Sequence, residues 1–211
     1  MGPVQQFASQ AVRSTLGRST DVDACVDLVG QIDRLLDQAA THLQAGAARL
    51  ACRAGCNFCC HLRVQVRPYE AIALFRYLQS RMPAALAQQV RSALRQNVQI
   101  APGAPRACAF LVAGECAAYE ARPGACAAYH SLSRDRCEQS FRDPAIASGT
   151  VALQGLQAVA LGLEAGVDEA LRAEGLSNVA LELHTAVAAL LADPALIARW
   201  RAGRPLIKES G

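Results

Sequence analysis

Lysine is almost missing from this sequence: of 21 basic residues only Lys208 is a lysine, so arginine carries nearly all the positive charge. The formal net charge is only +3 and no dense basic run appears, so no nucleic-acid footprint is visible and nucleic acid is not an expected partner. Aromatic residues are scarce at 5%, while alanine is prominent, a balance that favours helices packed closely through small side chains. A long apolar run is also lacking. The most apolar segment, Val151 to Val167, is broken by Gln154, Gln157 and Glu164 and falls short of the roughly 20 residues a membrane span needs. The first twenty residues, MGPVQQFASQAVRSTLGRST, hold no apolar core of a secretory signal, and Gln6 stands where myristoylation wants serine or threonine. These absences lead to the expectation of a soluble, cytoplasmic protein with no membrane partner. No Ser-His-Asp or paired-carboxylate constellation and no glycine-rich nucleotide motif is evident, which removes the basis for a hydrolase or nucleotide enzyme. Whether the protein is an enzyme at all stays open.

What is present is a chain of 211 residues, 52% hydrophobic, long enough to bury a real core and expected to form one domain. Thr20 followed by Asp23 has the form of a capping box, and apolar or small residues recur at Val22, Cys25, Val29, Ile32, Leu36, Ala39, Leu43, Gly46 and Leu50. That spacing is one buried face of a long helix. Pro68 and Pro83 are suited to open two further helices, PYEAIALFRYLQSRM and PAALAQQVRSALRQNVQ, which are expected to pair as a hairpin. A helical pattern returns from Ile146 through Gly149, Leu153, Leu156, Ala160, Leu163 and Val167. It continues in SNVALELHTAVAALLA, with Ser177 as cap, and in DPALIARWRAG, with Asp193 as cap and Pro194 as first residue. RVQV alternates like a strand but is only four residues long. The expected fold is all-α: a helical domain over 20–205 enclosing an irregular cysteine-rich metal-binding knot at about 52–137, with tails at 1–19 and 206–211.

Nine cysteines carry the chemistry. In a reducing compartment a dense group is more often a metal site than a disulfide framework, and an odd number leaves at least one outside any pairing. The first group has the spacing Cys52-x3-Cys56-x2-Cys59-Cys60, and the second Cys108-x7-Cys116-x9-Cys126-x10-Cys137. Short Cys-x2-4-Cys intervals let two thiolates turn onto one ion, at roughly 2.3 Å each for zinc, without straining the intervening backbone. Four ligands from each segment match two tetrahedral sites, or one iron–sulfur cluster with thiols left over. Eight thiolates on a single divalent ion would leave a large negative charge, which several ions, or fewer deprotonated thiols, reduce. Arg53, Arg63, Arg106, Arg122, Arg134 and Arg136 either offset the remainder or are ordinary surface residues. Side chains of neighbours diverge, so Cys59 and Cys60 either serve different metals or one of them stays an activated free thiol.

These residues resemble a family, the bacterial YkgJ-like cysteine-cluster proteins, described as zinc- or iron-chelating domains. The resemblance runs through Cys52, Cys56, Cys59 and Cys60, then Cys108 before Phe110 and Leu111, then Cys116, Tyr119, Glu120, Arg122, Pro123 and Cys126. It implies zinc or iron ions as cofactors and metal ions as partners. The first spacing is x3 where many members have x2, and AAYHS follows Cys126 where many members place an arginine. His130 is an optional ligand there, and Cys137 resembles a cysteine downstream in some members. A similar cluster in flagellin lysine methylases implies the alternative of an iron–sulfur-dependent enzyme of methyl-transfer or redox type. A periplasmic disulfide module would suit eight cysteines but not the ninth.

On their own terms, Tyr119 is expected to pack its ring over the knot and Pro123 to start a helix whose dipole favours thiolate at Cys126. His61 is a ligand, a donor behind a ligand or simply polar. His42 and His184 are expected to be ordinary structural or surface residues, and Cys25 a small buried hydrophobe.

Overall fold

The computed structural model describes residues 2–16, 22–44, 50–52, 55–101, 104–143 and 153–207. These residues are mostly helical, with nine α-helices and four two-residue strands. Among them no helix is long and apolar enough to cross a membrane.

Helix α2 (Asp23–Gln44) follows the anticipated stripe, with Cys25, Val29, Ile32 and Leu36 buried along it. The Thr20 cap and Gly46 lie outside the described residues. Helix α3 (Pro68–Ser80) starts at Pro68 and is buried along most of its length, packing between α2 and α8 (Leu183–Ala192). The expected hairpin partner, α4 (Ala84–Asn97), has Pro83 as its N-cap, but it packs on α8 instead of lying along α3.

The segment 1–19, set apart above as a tail, contains a helix, α1 (Pro3–Thr15), whose Ala8, Ala11 and Val12 are buried at helical spacing. It lies along α7 (Gln154–Ala173). The approach is so close at Gly166 that an added Cβ would stand 2.3 Å from the Gln5 carbonyl oxygen. At the other end Leu206 is 1% exposed, so the core reaches into the segment taken as the C-terminal tail. The expected helix from Ile146 begins at Gln154 instead, and Ile146 and Gly149 lie outside the described residues.

Ser177 caps nothing. Its carbonyl accepts the Trp200 indole N–H at 2.7 Å, and the chain runs on to strand β4 (Leu181–Glu182) before α8 begins. Strand β4 pairs antiparallel with β1 (Gln65–Val66), so the short RVQV signal is a real strand whose partner lies far along the chain. Asp193 does act at its turn, its Oδ1 accepting the Ala195 N–H at 3.0 Å before α9 (Leu196–Arg201). Buried apolar side chains from the helices and the intervening turns, with Trp200, Phe110 and Leu28 among the largest, form one core.

Candidate metal centre

The first cysteine segment leaves the turn at Gly55, which has φ +77 and so suits a residue without a Cβ. It winds into a single 3-10 turn, Phe58–His61, which carries Cys59 and Cys60. That turn packs on α6 (Arg134–Arg142), where the Phe141 ring stands 5.7 Å from Phe58 and 4.5 Å from His61. Helix α6 also holds Cys137, so aromatic packing brings the last cysteine beside the first group.

The second segment, expected to be irregular, contains a hairpin. Strands β2 (Leu111–Val112) and β3 (Glu115–Cys116) pair with Leu111 opposite Cys116. Between them Ala113 and Gly114 have φ +50 and +84, the two positive values of a tight hairpin turn. The pattern LVAGEC held this signal: a central glycine between two apolar or extended pairs. Past a 3-10 turn at Tyr119–Ala121, Pro123 leads into α5 (Gly124–Ala127), one turn that carries Cys126. The buried Glu70 of α3 secures it. One carboxylate oxygen accepts the Gly124 N–H at 2.8 Å and the other the Arg67 N–H at 2.7 Å.

Hydrogen bonds join the two segments. The Cys108 N–H donates to the Cys60 carbonyl at 2.7 Å, and the Ala51 N–H to the Ser131 carbonyl at 2.9 Å. The Ser131 N–H donates to the Cys52 sulfur at 3.1 Å, and the Asn57 amide to the Gly114 carbonyl at 3.1 Å. Cys52, Cys56, Cys59, Cys60, Cys108, Cys116, Cys126 and Cys137 are all half-buried, whereas Cys25 is fully buried on α2.

The thiols influence one another in a definite pattern. Burial raises Cys52, the Ser131 N–H lowers it, and Cys56, Cys59 and Cys137 are near enough to raise it further. Burial likewise raises Cys126, with Cys108, Cys116 and Cys59 adding to it. Cys108 is pushed up to about 11, chiefly by burial, against the opposing Phe110 N–H. Burial raises Cys116 against the opposing Ala118 N–H. A hydrogen bond to Cys60, then burial, raises Cys59. Eight half-buried thiols, with amide N–H groups opposing the rise at Cys52, Cys108 and Cys116, are a donor set suited to zinc or iron. Among the described residues, however, no three His, Cys, Asp or Glu side chains stand together as a metal-holding group.

Several expectations are corrected. Burial and neighbouring thiols raise Cys126, so the dipole of one helical turn does not dominate there. Tyr119 is 57% exposed, and its ring meets the Arg122 guanidinium at 4.1 Å instead of covering the cysteines. Arg122 is committed to Asp33 at 2.8 Å and Asp37 at 2.7 Å, and Arg106 to Glu182 at 2.7 Å, although each still lowers a thiol nearby, Cys116 and Cys108 respectively. Arg134 lies over the Phe58 ring at 5.4 Å, Arg63 and Arg136 are exposed, and Arg53 lies outside the described residues. Nδ1 of His61 is 3.2 Å from the Asn57 carbonyl and its ring rests on Phe141, while Nδ1 of His130 is buried without a partner and burial lowers that imidazole. His42 is exposed.

The residues that reading the sequence missed are the polar side chains that hold the cysteine backbone: Asn57, Glu70, Asn97, Glu182 and His184. His184 is 4% exposed, and its Nε2 accepts the Ala109 N–H at 3.0 Å. Asn97 donates to the Ala107 carbonyl at 2.8 Å. Only the capping-box spacing of Arg67 to Glu70 offered a local signal.

The chain matches no curated protein and no solved structure. Residues 51–144 match the CxxCxxCC family model, described as a "putative zinc- or iron-chelating domain", a span that contains all eight half-buried cysteines. Over this segment, a little under half of the chain, the sequence is similar to that family of cysteine-cluster domains.

Proposed function

We propose that the protein binds zinc or iron through thiolates drawn from both cysteine segments: Cys52, Cys56, Cys59 and Cys60 from the first, Cys108, Cys116, Cys126 and Cys137 from the second. The observation that carries this reading is the backbone bond from Cys108 N–H to the Cys60 carbonyl, which joins the two segments at the ligands themselves. The mutual influence of the thiols supports a division into two groups. Cys52 couples with Cys56, Cys59 and Cys137, and Cys126 with Cys108, Cys116 and Cys59. The Cys59–Cys60 pair then stands where the two groups meet. A cation bound there supplies charge compensation and a covalent tie, roughly 10 to 16 kcal/mol of folding free energy for a structural zinc site. The chain's own part is to hold half-buried thiols that give up their protons as the ion enters.

The test is metal analysis of protein purified anaerobically under reducing conditions, with its visible spectrum. Stoichiometric zinc or iron is expected, reduced in Cys59→Ser and Cys126→Ser variants. Absence of both metals, with all thiols free and reduced, would overturn the proposal. Intense visible absorption with sulfide would move the reading to an iron–sulfur centre and reopen the enzyme alternative, which a colourless zinc protein ends.

A further inference from the structure

We infer that residues 181–184, outside the family segment, act as the clasp that sets the two cysteine segments in register, with His184 as the positioning residue for Cys108. The inference rests on the metal-binding reading above and adds to it a role for the C-terminal helices.

The first segment leaves Cys59 and Cys60 through Leu62, Arg63 and Val64 into β1. There β4 takes hold of it: Gln65 pairs with Glu182, Val66 with Leu181, and the Leu183 N–H donates to the Val64 carbonyl at 3.0 Å. The second segment arrives at Cys108 through Arg106 and Ala107, and the same four residues grip it from the other side. The Glu182 carboxylate holds the Arg106 guanidinium at 2.7 Å, and His184 Nε2 accepts the N–H of Ala109, the residue that follows Cys108. His184 Nδ1 stands 3.1 Å from Glu182 Oε1, so carboxylate and imidazole also fix each other. Between these two grips lies the Cys108 to Cys60 backbone bond.

The stretch 181–184 thus contacts both sides of that junction. An imidazole that must accept from Ala109 has its Nε2 unprotonated and its N–H on Nδ1, facing Glu182. It ties Ala109, and through it Cys108, to the N-terminus of α8, whose Leu183, Ala186, Val187 and Leu190 are buried in the core. A thiol held this way does not need to be ordered when the ion arrives, and outer hydrogen bonds of this kind typically change metal affinity by about 10- to 100-fold.

The experiment titrates the full-length protein with cobalt(II), reading thiolate-to-cobalt charge-transfer absorbance per bound ion and affinity by chelator competition. His184→Leu removes the acceptor. His184→Gln places an oxygen near the Nε2 position. His184→Asn keeps a polar group toward Glu182 but is too short for Ala109, and is read in place of His184→Leu if that variant does not fold. The expected result is about a 10- to 100-fold loss of affinity and lower absorbance per cobalt in His184→Leu or His184→Asn, with His184→Gln close to wild type. Leu190→Ala, on the same helix but away from Cys108, is expected to lower stability without changing absorbance per cobalt. Wild-type affinity and spectrum in His184→Asn, or a loss in His184→Gln as large as in His184→Leu, would overturn the clasp. If wild type itself shows no thiolate–cobalt absorbance, it is the metal reading that fails.

Discussion

Glu70 offers the most direct check on how the cysteine turns are held. It is 6% exposed, and each carboxylate oxygen serves a different backbone donor, Gly124 N–H at 2.8 Å and Arg67 N–H at 2.7 Å. Glu70→Ala leaves both donors inside the protein with no acceptor, at about 1–3 kcal/mol each, while relief of the buried carboxyl returns part of that cost. A net destabilisation of about 2–4 kcal/mol is expected, a large share of the roughly 5–15 kcal/mol typical of a domain. Glu70→Gln retains one acceptor and should lose about half as much. Trp200 is the sole tryptophan and is fully buried, so its fluorescence during urea unfolding reads the loss directly. Because Gly124 opens the turn that carries Cys126, Glu70→Ala should also weaken metal retention. An unfolding free energy within about 0.5 kcal/mol of wild type, the scatter of such fits, would refute the reasoning, as would equal damage from the two variants.

Three further outcomes are expected. Burial pushes Cys108 up to about 11 and raises Cys126, and the hydrogen bond to Cys60, then burial, raises Cys59, so the metal-free, reduced protein has its full thiol contribution below the ordinary value of 9. That contribution is lost as pH rises through the folded values, because the unfolded chain gives up its protons first. The urea midpoint should fall above pH 9, and less steeply in Cys108→Ser, while metal affinity measured by chelator competition should rise with pH as ions displace protons. Glu182 behaves in the opposite sense: burial raises its carboxyl, but the bonds from His184 and Thr185 outweigh that and hold it below the ordinary 4.5. Its contribution is present above that value and is lost as pH falls below it, so Glu182→Gln should flatten the acid limb of a melting-temperature profile. Gly166→Ala should cost about 1–3 kcal/mol by forcing α1 away from α7, seen as faster proteolytic release of the N-terminal helix; an unchanged cleavage rate would speak against the close approach.

Much of this molecule is legible one turn at a time. Cys25, Val29, Ile32 and Leu36 mark their helix face because the apolar period is a local property, and Pro68 marks a helix start because its ring and missing N–H act on adjacent residues. The cysteine spacing and its family motif are equally local, so the sequence by itself determined the mostly helical architecture and the chemistry concentrated between Cys52 and Cys137. Other features were decided elsewhere. Strand β1 exists because β4 pairs with it, whereas Ser177 lost its cap role to a strand and a Glu182 cap at the next helix. Cys126 is set by how deeply it is buried among other thiols, which no helix-dipole argument from Pro123 could contain. His184, plain in the sequence, becomes an acceptor for Ala109 only once α3 and α4 have brought α8 against the loop before Cys108. Hydrogen bonds between residues this far apart in the chain depend on packing geometry, and only the tertiary structure carries that information.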